Sequence, residues 1–263
     1  MSMTLTKINA LDTFIKGEKT AGRWGGHKRL YFPVWGSAAS NAICMKTLLS
    51  GTFVGSWTHS NQAVVANGVE GYFQPDNVLS SMGMTMGNYH FTTLIRGIPD
   101  FGASQINSKS LVTVTENNDA FAVTIDLATN LDGEGTQFLA YTFLSGGVNP
   151  TTIGTVTIYD YQRTPLSIPM GIFSVFGNGT TAYTRSRNNN GGALYGTSNN
   201  YSNSSGFGNF YTRIFNGGIL SDNFPFEPQS FFSIGTYIAP ADNLLFTAAV
   251  EVLFETVTAQ SLP

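Results

Sequence analysis

Charge is what this 263-residue sequence has least of: 11% of its residues are Asp, Glu, Lys or Arg, against roughly 25% in an ordinary soluble domain. Such a surface is a weak solubiliser for a lone protein, but it suits a chain largely covered by copies of itself. Cysteine is almost missing as well. The single Cys44 cannot close an internal disulfide, which excludes a small stapled extracellular scaffold. Lying in "AICMKTLL", it reads as a buried hydrophobe. Long apolar runs are absent: nothing approaches the roughly 20 residues that a bilayer-spanning helix needs. The start, "MSMTLTKINALDTF", has no apolar core of a secretory signal, so the expectation is a chain made in a cytoplasm with no signal peptide or transmembrane segment. The sequons at Asn178, Asn200 and Asn203 then read as accidents of an Asn- and Ser-rich composition.

Motifs of catalysis are missing too. There is no G-x-S-x-G elbow, no G-x-x-x-x-G-K-[ST] loop and no H-E-x-x-H, and one cysteine removes the usual zinc spacings. The expectation from this is no catalytic residue and no enzyme. His27, His59 and His90 stand about thirty residues apart and read as satisfied or surface histidines.

What is present is β-forming and apolar. With 42% hydrophobic and 13% aromatic residues the chain can bury a sizeable core. Residues 5–16, "LTKINALDTFIK", space Leu5, Ile8, Leu11, Phe14 and Ile15 by three and four, a short helix or an extended arm. The turn-rich "GRWGGHKRLYFPVWG" leads from it into the body. In "DAFAVTIDL", Phe121, Val123, Ile125 and Leu127 alternate with polar or small residues, and "SLVTVT" before it does the same across "ENND". That pair predicts a β-hairpin.

Further strands are predicted at 52–58, 69–74, 89–97, 136–144, 153–161, 171–176, 210–215, 230–238 and 243–257. In the last, Leu244, Phe246, Ala248, Val250, Val252 and Phe254 would form one apolar face of a closing strand. The fold class is therefore all-β: an antiparallel sandwich of jelly-roll type with a short N-terminal arm or helix and long loops. The domains expected are a basic arm and lead-in over 1–40 and a body over 41–263, which could also be two small sandwiches split near 145–152.

Candidate contact residues follow from charge and aromatic placement. Six of the 13 bases fall in the first 30 residues against Asp12 and Glu18, a net of +4, whereas beyond Arg213 only acids remain. Lys16, Lys19, Arg23, Lys28 and Arg29 are candidates for touching nucleic acid, a membrane face or a neighbouring subunit. The uncharged stretch "NNNGGALYGTSNNYSNSSGFGNF", residues 188–210, is predicted to be a long ordered loop, with Tyr195, Tyr201, Phe207 and Phe210 as its interface or receptor contacts. No cofactor is expected, except that Asp126, Asn130, Asp132 and Glu134 in "DLATNLDGEG" offer oxygen ligands suited to Ca²⁺, against a plain solvated hairpin turn. Met82, Met84 and Met86 recur at period two and suit core or interface packing.

With "FFSIGTYIAPADNLLFTAAVEVLFETV" as a closing hairpin, and a basic leader before a charge-poor body, the chain resembles jelly-roll capsid and virion structural proteins of icosahedral viruses or phages. That resemblance implies an eight-stranded sandwich of two four-stranded sheets and self-assembly into a shell. The partners it implies are other copies of the chain, other virion proteins and, through the arm, genome or an internal membrane. Its location would be the virion, after synthesis in the host cytoplasm. The arm is not Arg-rich as in RNA-packaging members. A phage fibre head or lectin-like module, binding a receptor or glycan, is the alternative from another class.

Overall fold

In a computed structural model, residues 4–66, 71–76, 79–85, 87–95, 108–115, 121–129, 136–142, 171–188, 191–198, 211–214 and 228–260 are described. Helix α1 (Leu5–Thr20) leads to β1 (His27–Tyr31), the single turn α2 (Ala38–Asn41), β2 (Thr52–Val54), β3 (Trp57–His59), β4 (Val64–Ala66), β5 (Tyr72–Gln74), a 3-10 turn at Leu79–Met82 and β6 (Tyr89–Ile95). There follow β7 (Ser108–Thr115), β8 (Phe121–Thr129), β9 (Thr136–Thr142), β10 (Gly171–Gly177), β11 (Thr181–Asn188), β12 (Gly191–Ser198), β13 (Tyr211–Ile214), β14 (Gln229–Gly235) and α3 (Pro240–Thr258).

The strands form two antiparallel sheets. One runs β12-β11-β10-β6-β14-β4-β3, with β1 also paired to β14, and the other runs β2-β5-β13-β7-β8-β9. The hairpin read from the alternation of "SLVTVT" and "DAFAVTIDL" is β7–β8, with Val112 opposite Ile125 and Val114 opposite Val123. The expected body of two four-stranded sheets is corrected: among the described residues the sheets have eight and six strands. The strand expected at 153–161 and the break expected near 145–152 lie outside the described residues.

The expected closing strand is corrected to a helix, so the chain is mostly antiparallel β with helices rather than all-β. In α3 the buried residues are Asn243, Phe246, Thr247, Val250, Leu253, Phe254 and Val257, a stripe at intervals of three and four. Pro240 at its first turn and Asp242 nearby are start signals of a helix, since proline's missing N–H is unneeded there and an acid suits the positive end. The alternation misleads because the segment is apolar on both sides. Leu244 and Val252, expected on one face with Phe246, Val250 and Phe254, point outward instead.

The expected loop at 188–210 is also corrected in its first part. Gly191–Ser198 is a strand, paired along β11 with Thr184 opposite Tyr195 and Asn188 opposite Gly191.

The core positions everything else. Strands β6, β10 and β14 are buried along their whole length, because α1 and α3 cover one face of the first sheet and the second sheet approaches the other. Phe14 of α1 and Phe246, Val250 and Phe254 of α3 pack onto Leu30, Leu94, Ile172 and Phe231. Full burial of side chains this size stabilises by about 1.5–3 kcal/mol each. On the other face Phe73 of β5 meets Tyr31 edge-on, ring centroids 4.8 Å apart. Cys44 is buried and accepts from the Leu30 backbone N–H at 3.4 Å. Met82 and Met84 are buried, the first in the 3-10 turn rather than in a strand.

One glycine is fixed by a close approach. A Cβ at Gly235 would lie 2.2 Å from the Gly26 carbonyl oxygen and 2.4 Å from Cε1 of His90. We expect Gly235→Ala to lower unfolding free energy by about 1–3 kcal/mol, the usual cost of overpacking. Gly25→Ala, where a Cβ meets nothing within 4 Å, should cost less; denaturant unfolding of the two variants checks the order.

Candidate functional site: a buried polar chain beneath an apolar helical face

Glu18 continues the buried stripe of α1 one turn beyond Phe14. Its backbone carbonyl ends the helix by accepting the N–H groups of Arg23 (3.0 Å) and Trp24 (3.1 Å), and the turn passes through Gly22 at φ +73°. That left-handed residue folds the chain back so that Arg23 returns to the glutamate of its own helix. The guanidinium donates to both carboxylate oxygens, Nη2 to Oε1 at 2.7 Å and Nε to Oε2 at 3.0 Å. Arg23 also lies 3.7 Å from Asp242 at the start of α3.

From Glu18 the chain runs inward. Oε2 is 3.1 Å from Nε2 of His27 on β1, and Nδ1 of His27 is 3.2 Å from Oγ of Ser233 on β14. The same hydroxyl is 2.8 Å from Nε2 of His90 on β6, whose Nδ1 donates to the Thr236 carbonyl at 2.6 Å. Phe246 of α3 packs against both imidazoles, tilted against His27 with centroids 4.5 Å apart and edge-on to His90 at 6.1 Å. Lys46 donates to the carbonyls of Trp24 and His27. Five elements, α1, β1, β6, β14 and α3, thus meet at one line of polar groups.

Burial sets the titration of this line. His90 is pushed down to about 3, first by desolvation and then by the neighbouring His27. Burial also holds His27 below its usual value, although Glu18 pulls the other way. For Glu18 burial acts upward, but hydrogen bonds from His27 and Arg23 outweigh it and hold the carboxyl below the ordinary range. A serine, two histidines and a carboxylate are the groups of a hydrolytic relay. Here all four are fully buried, so in this state the serine hydroxyl faces no substrate and the relay can only share protons within the fold.

Three further buried polar pairings hold neighbouring elements together. Arg185 of β11 donates to Asn243 Oδ1 and to the Pro240 carbonyl, both at 2.8 Å, fastening the start of α3. Arg29 makes a two-pronged pair with Asp76, Nη2 to Oδ2 being 2.9 Å, and the Tyr31 hydroxyl donates to the same carboxylate at 3.3 Å. Thr92 and Ser174 share a hydrogen bond of 2.7 Å across β6 and β10.

The structure separates the five bases expected to act together. Arg23 and Arg29 are turned inward to Glu18 and Asp76. Lys16 is exposed and paired with Asp12 at 2.7 Å, Lys19 is exposed with its ammonium 5.6 Å from the Trp24 ring centroid, and Lys28 is half-buried. Asp126 is in β8 opposite Leu139, and Tyr195 is in β12. Asn130, Asp132, Glu134, Tyr201, Phe207 and Phe210 lie outside the described residues. Among the described residues no group of three or more His, Cys, Asp and Glu is placed to hold a metal ion, and no helix is long and apolar enough to cross a membrane.

Sequence reasoning missed Glu18, Ser233 and the joining of His27 to His90. The one available signal is that Glu18 occupies the position where the apolar stripe of α1 would place another hydrophobe. Above this line the outward side of α3 is itself apolar: Leu245 and Val252 are 57% and 63% exposed, beside Leu244, and no base occurs in the helix. On neighbouring α1, Leu5 and Ile8 are 73% and 45% exposed.

No protein-family model matches the chain, and no curated protein matches it. Among solved structures it is similar to the CBM2 module of the evolved Dit of Lactobacillus casei BL23 phage J-1, with TM-score 0.47 and 10% identity over 71% of this chain and 81% of that one. It is similar also to the enzymatically active domain of bacteriophage CBA120 tailspike protein 2, with TM-score 0.46 and 6% identity over 81% of this chain and 30% of that one. A Trypanosoma rangeli sialidase in complex with 2,3-difluorosialic acid gives TM-score 0.47 and 10% identity, covering 86% of this chain but 34% of the sialidase. The chain thus spans about a third of the sialidase and tailspike chains. Phage proteins stand among these structures, in line with the weak resemblance to virion proteins drawn from the sequence. The expectation that the chain is no enzyme is corrected: similar structures include that sialidase, that tailspike domain and the alginate lyase of Klebsiella pneumoniae.

The buried histidines give stability a definite pH sign. Their folded values lie below the unfolded 6.5, so between those limits the unfolded chain binds more protons and stability falls as pH falls. The slope is about 1.4 kcal/mol per pH unit for each depressed histidine. Loss of the Glu18 contribution adds to this only below its ordinary value near 4.5. Thermal unfolding should therefore drop steadily from pH 7 towards pH 4, and His90→Gln should flatten that limb by one such slope.

Proposed function

We propose that the chain is a structural virion protein whose sandwich, jelly-roll-like in arrangement, assembles with copies of itself through broad surfaces poor in charge. The observation that carries this reading is the outward side of α3. A helix apolar on both sides is normally buried on both. Inward, Phe246, Val250 and Phe254 enter the core; outward, Ala241, Leu245, Ala248 and Val252 form a stripe that a neighbouring subunit would cover.

Charge supports the same reading. The helix α3 carries Asp242, Glu251 and Glu255, whereas exposed Lys16 and Lys19 sit on α1. An α1 face of one copy set against an α3 face of the next would pair apolar with apolar and base with acid. Lys28, and the rings of Tyr195, Tyr201, Phe207 and Phe210, are proposed as further contacts with copies or with other virion proteins. A Ca²⁺ ion at Asp126, Asn130, Asp132 and Glu134 would stiffen that hairpin end.

Sedimentation of purified protein tests the reading. Large symmetric assemblies are expected, and Leu245→Glu with Val252→Glu should shift them to single subunits of unchanged fold, a loss of tenfold or more in association. A chain that stays monomeric at every concentration, or a small oligomer that binds glycans, would overturn it in favour of the fibre-head or lectin-like alternative.

A further inference from the structure

The buried line of polar groups is one hydrogen short. It has four contacts to fill: Glu18 to His27, His27 to Ser233, Ser233 to His90, and His90 to the Thr236 carbonyl. A carboxylate and a carbonyl only accept, a neutral imidazole has one N–H, and a hydroxyl has one O–H. Two neutral histidines and one serine therefore supply three hydrogens for four contacts.

The distances indicate where the gap falls. The Thr236 carbonyl takes the hydrogen on Nδ1 of His90, leaving its Nε2 bare to accept the Ser233 hydroxyl at 2.8 Å. Glu18 claims the hydrogen on Nε2 of His27, because a bare nitrogen facing a carboxylate would be repelled. Nδ1 of His27 then faces the lone pairs of Ser233 with no hydrogen between them. That contact, 3.2 Å, is the longest of the four.

We propose that the Glu18–His27–Ser233–His90 chain is a binding site for one proton, empty when both imidazoles are neutral and filled at mildly acidic pH with the fold intact. The proton comes from solvent, enters at Nδ1 of His27 and displaces nothing. Ser233 then accepts from His27 while donating to His90, and all four contacts are made. His27 is the seat because its other nitrogen already faces a carboxylate, whereas His90 is held by a hydroxyl and a carbonyl.

The charges around the site set when it fills. Arg23 after α1 and Lys46 in the turn behind β1 oppose the proton. Glu18 on α1 draws it in, and Asp242 at the start of α3 compensates Arg23. From β6 and β14 the groups facing it are His90, Ser233 and the Thr236 carbonyl, and from α3 the Phe246 ring. These two positive and two negative side chains balance, so the filled site carries one net positive charge between the sheet and both helices. Such a site makes the seating of the helical layer responsive to acidity.

Nitrogen-15 NMR of the histidines in the intact protein tests this. At pH 8 we expect His27 as the Nε2–H tautomer and His90 as the Nδ1–H tautomer. On acidification Nδ1 of His27 should gain its proton in a single step with a midpoint below 6.5, while His90 stays neutral and the amide spectrum stays folded. Ser233→Ala, which removes the acceptor, should lower that midpoint by about half a unit, a threefold weaker hold on the proton. The proposal fails if His27 is Nδ1–H or doubly protonated at pH 8, or stays neutral until the amide spectrum collapses. If Ser233→Ala does not fold, the titration of the unaltered protein decides alone.

Discussion

A carboxylate withdrawn from water must be matched by charge and hydrogen bonds or it destabilises the fold by several kcal/mol. Glu18 meets that condition through three donors, two on Arg23 and one on His27. The consequences are geometric. Arg23 can reach back only because the chain reverses through Gly22 after α1, and His27 can reach Glu18 only because β1 enters the sheet directly after that turn. The approach of Gly26 to Gly235 then sets how closely β1 lies on β14. A helix terminus, a reversal and the register of a strand are thus tied to one side chain.

The same constraint shapes the surface. Phe246 must pack against the two imidazoles, and Arg185 must hold Asn243 and the Pro240 carbonyl, for α3 to sit as it does. With those residues fixed inward, helical periodicity leaves Leu245, Ala248 and Val252 outward. The apolar outer stripe is therefore a rigid surface whose orientation is set from beneath, which suits repeated packing against an identical neighbour.

Much of the β architecture was legible. The β7–β8 hairpin could be read because its alternation has one period and one buried side to satisfy. The helix α3 could not, since Leu244 to Phe254 fit a period of two and a period of 3.6 equally well when both sides are apolar. Pro240 and Asp242 held the deciding information. For the polar chain, Glu18 and His27 are nine residues apart, but His27 and Ser233 are 206 apart, and no local spacing announces such a meeting. Charge alone misled at Arg29 for a related reason: its partner Asp76 lies 47 residues on, so the base read as surface until the fold joined them.

The Glu18 pairing with Arg23 and His27 seats the helical layer on the sheet. Native-state amide hydrogen exchange of Glu18→Gln against the unaltered protein tests it most directly. In the unaltered protein α1 is expected to be protected to nearly the level of β6 and β14, and in the variant to lose protection by a hundredfold or more while those strands keep theirs. A variant in which α1 stays as protected as before would contradict it.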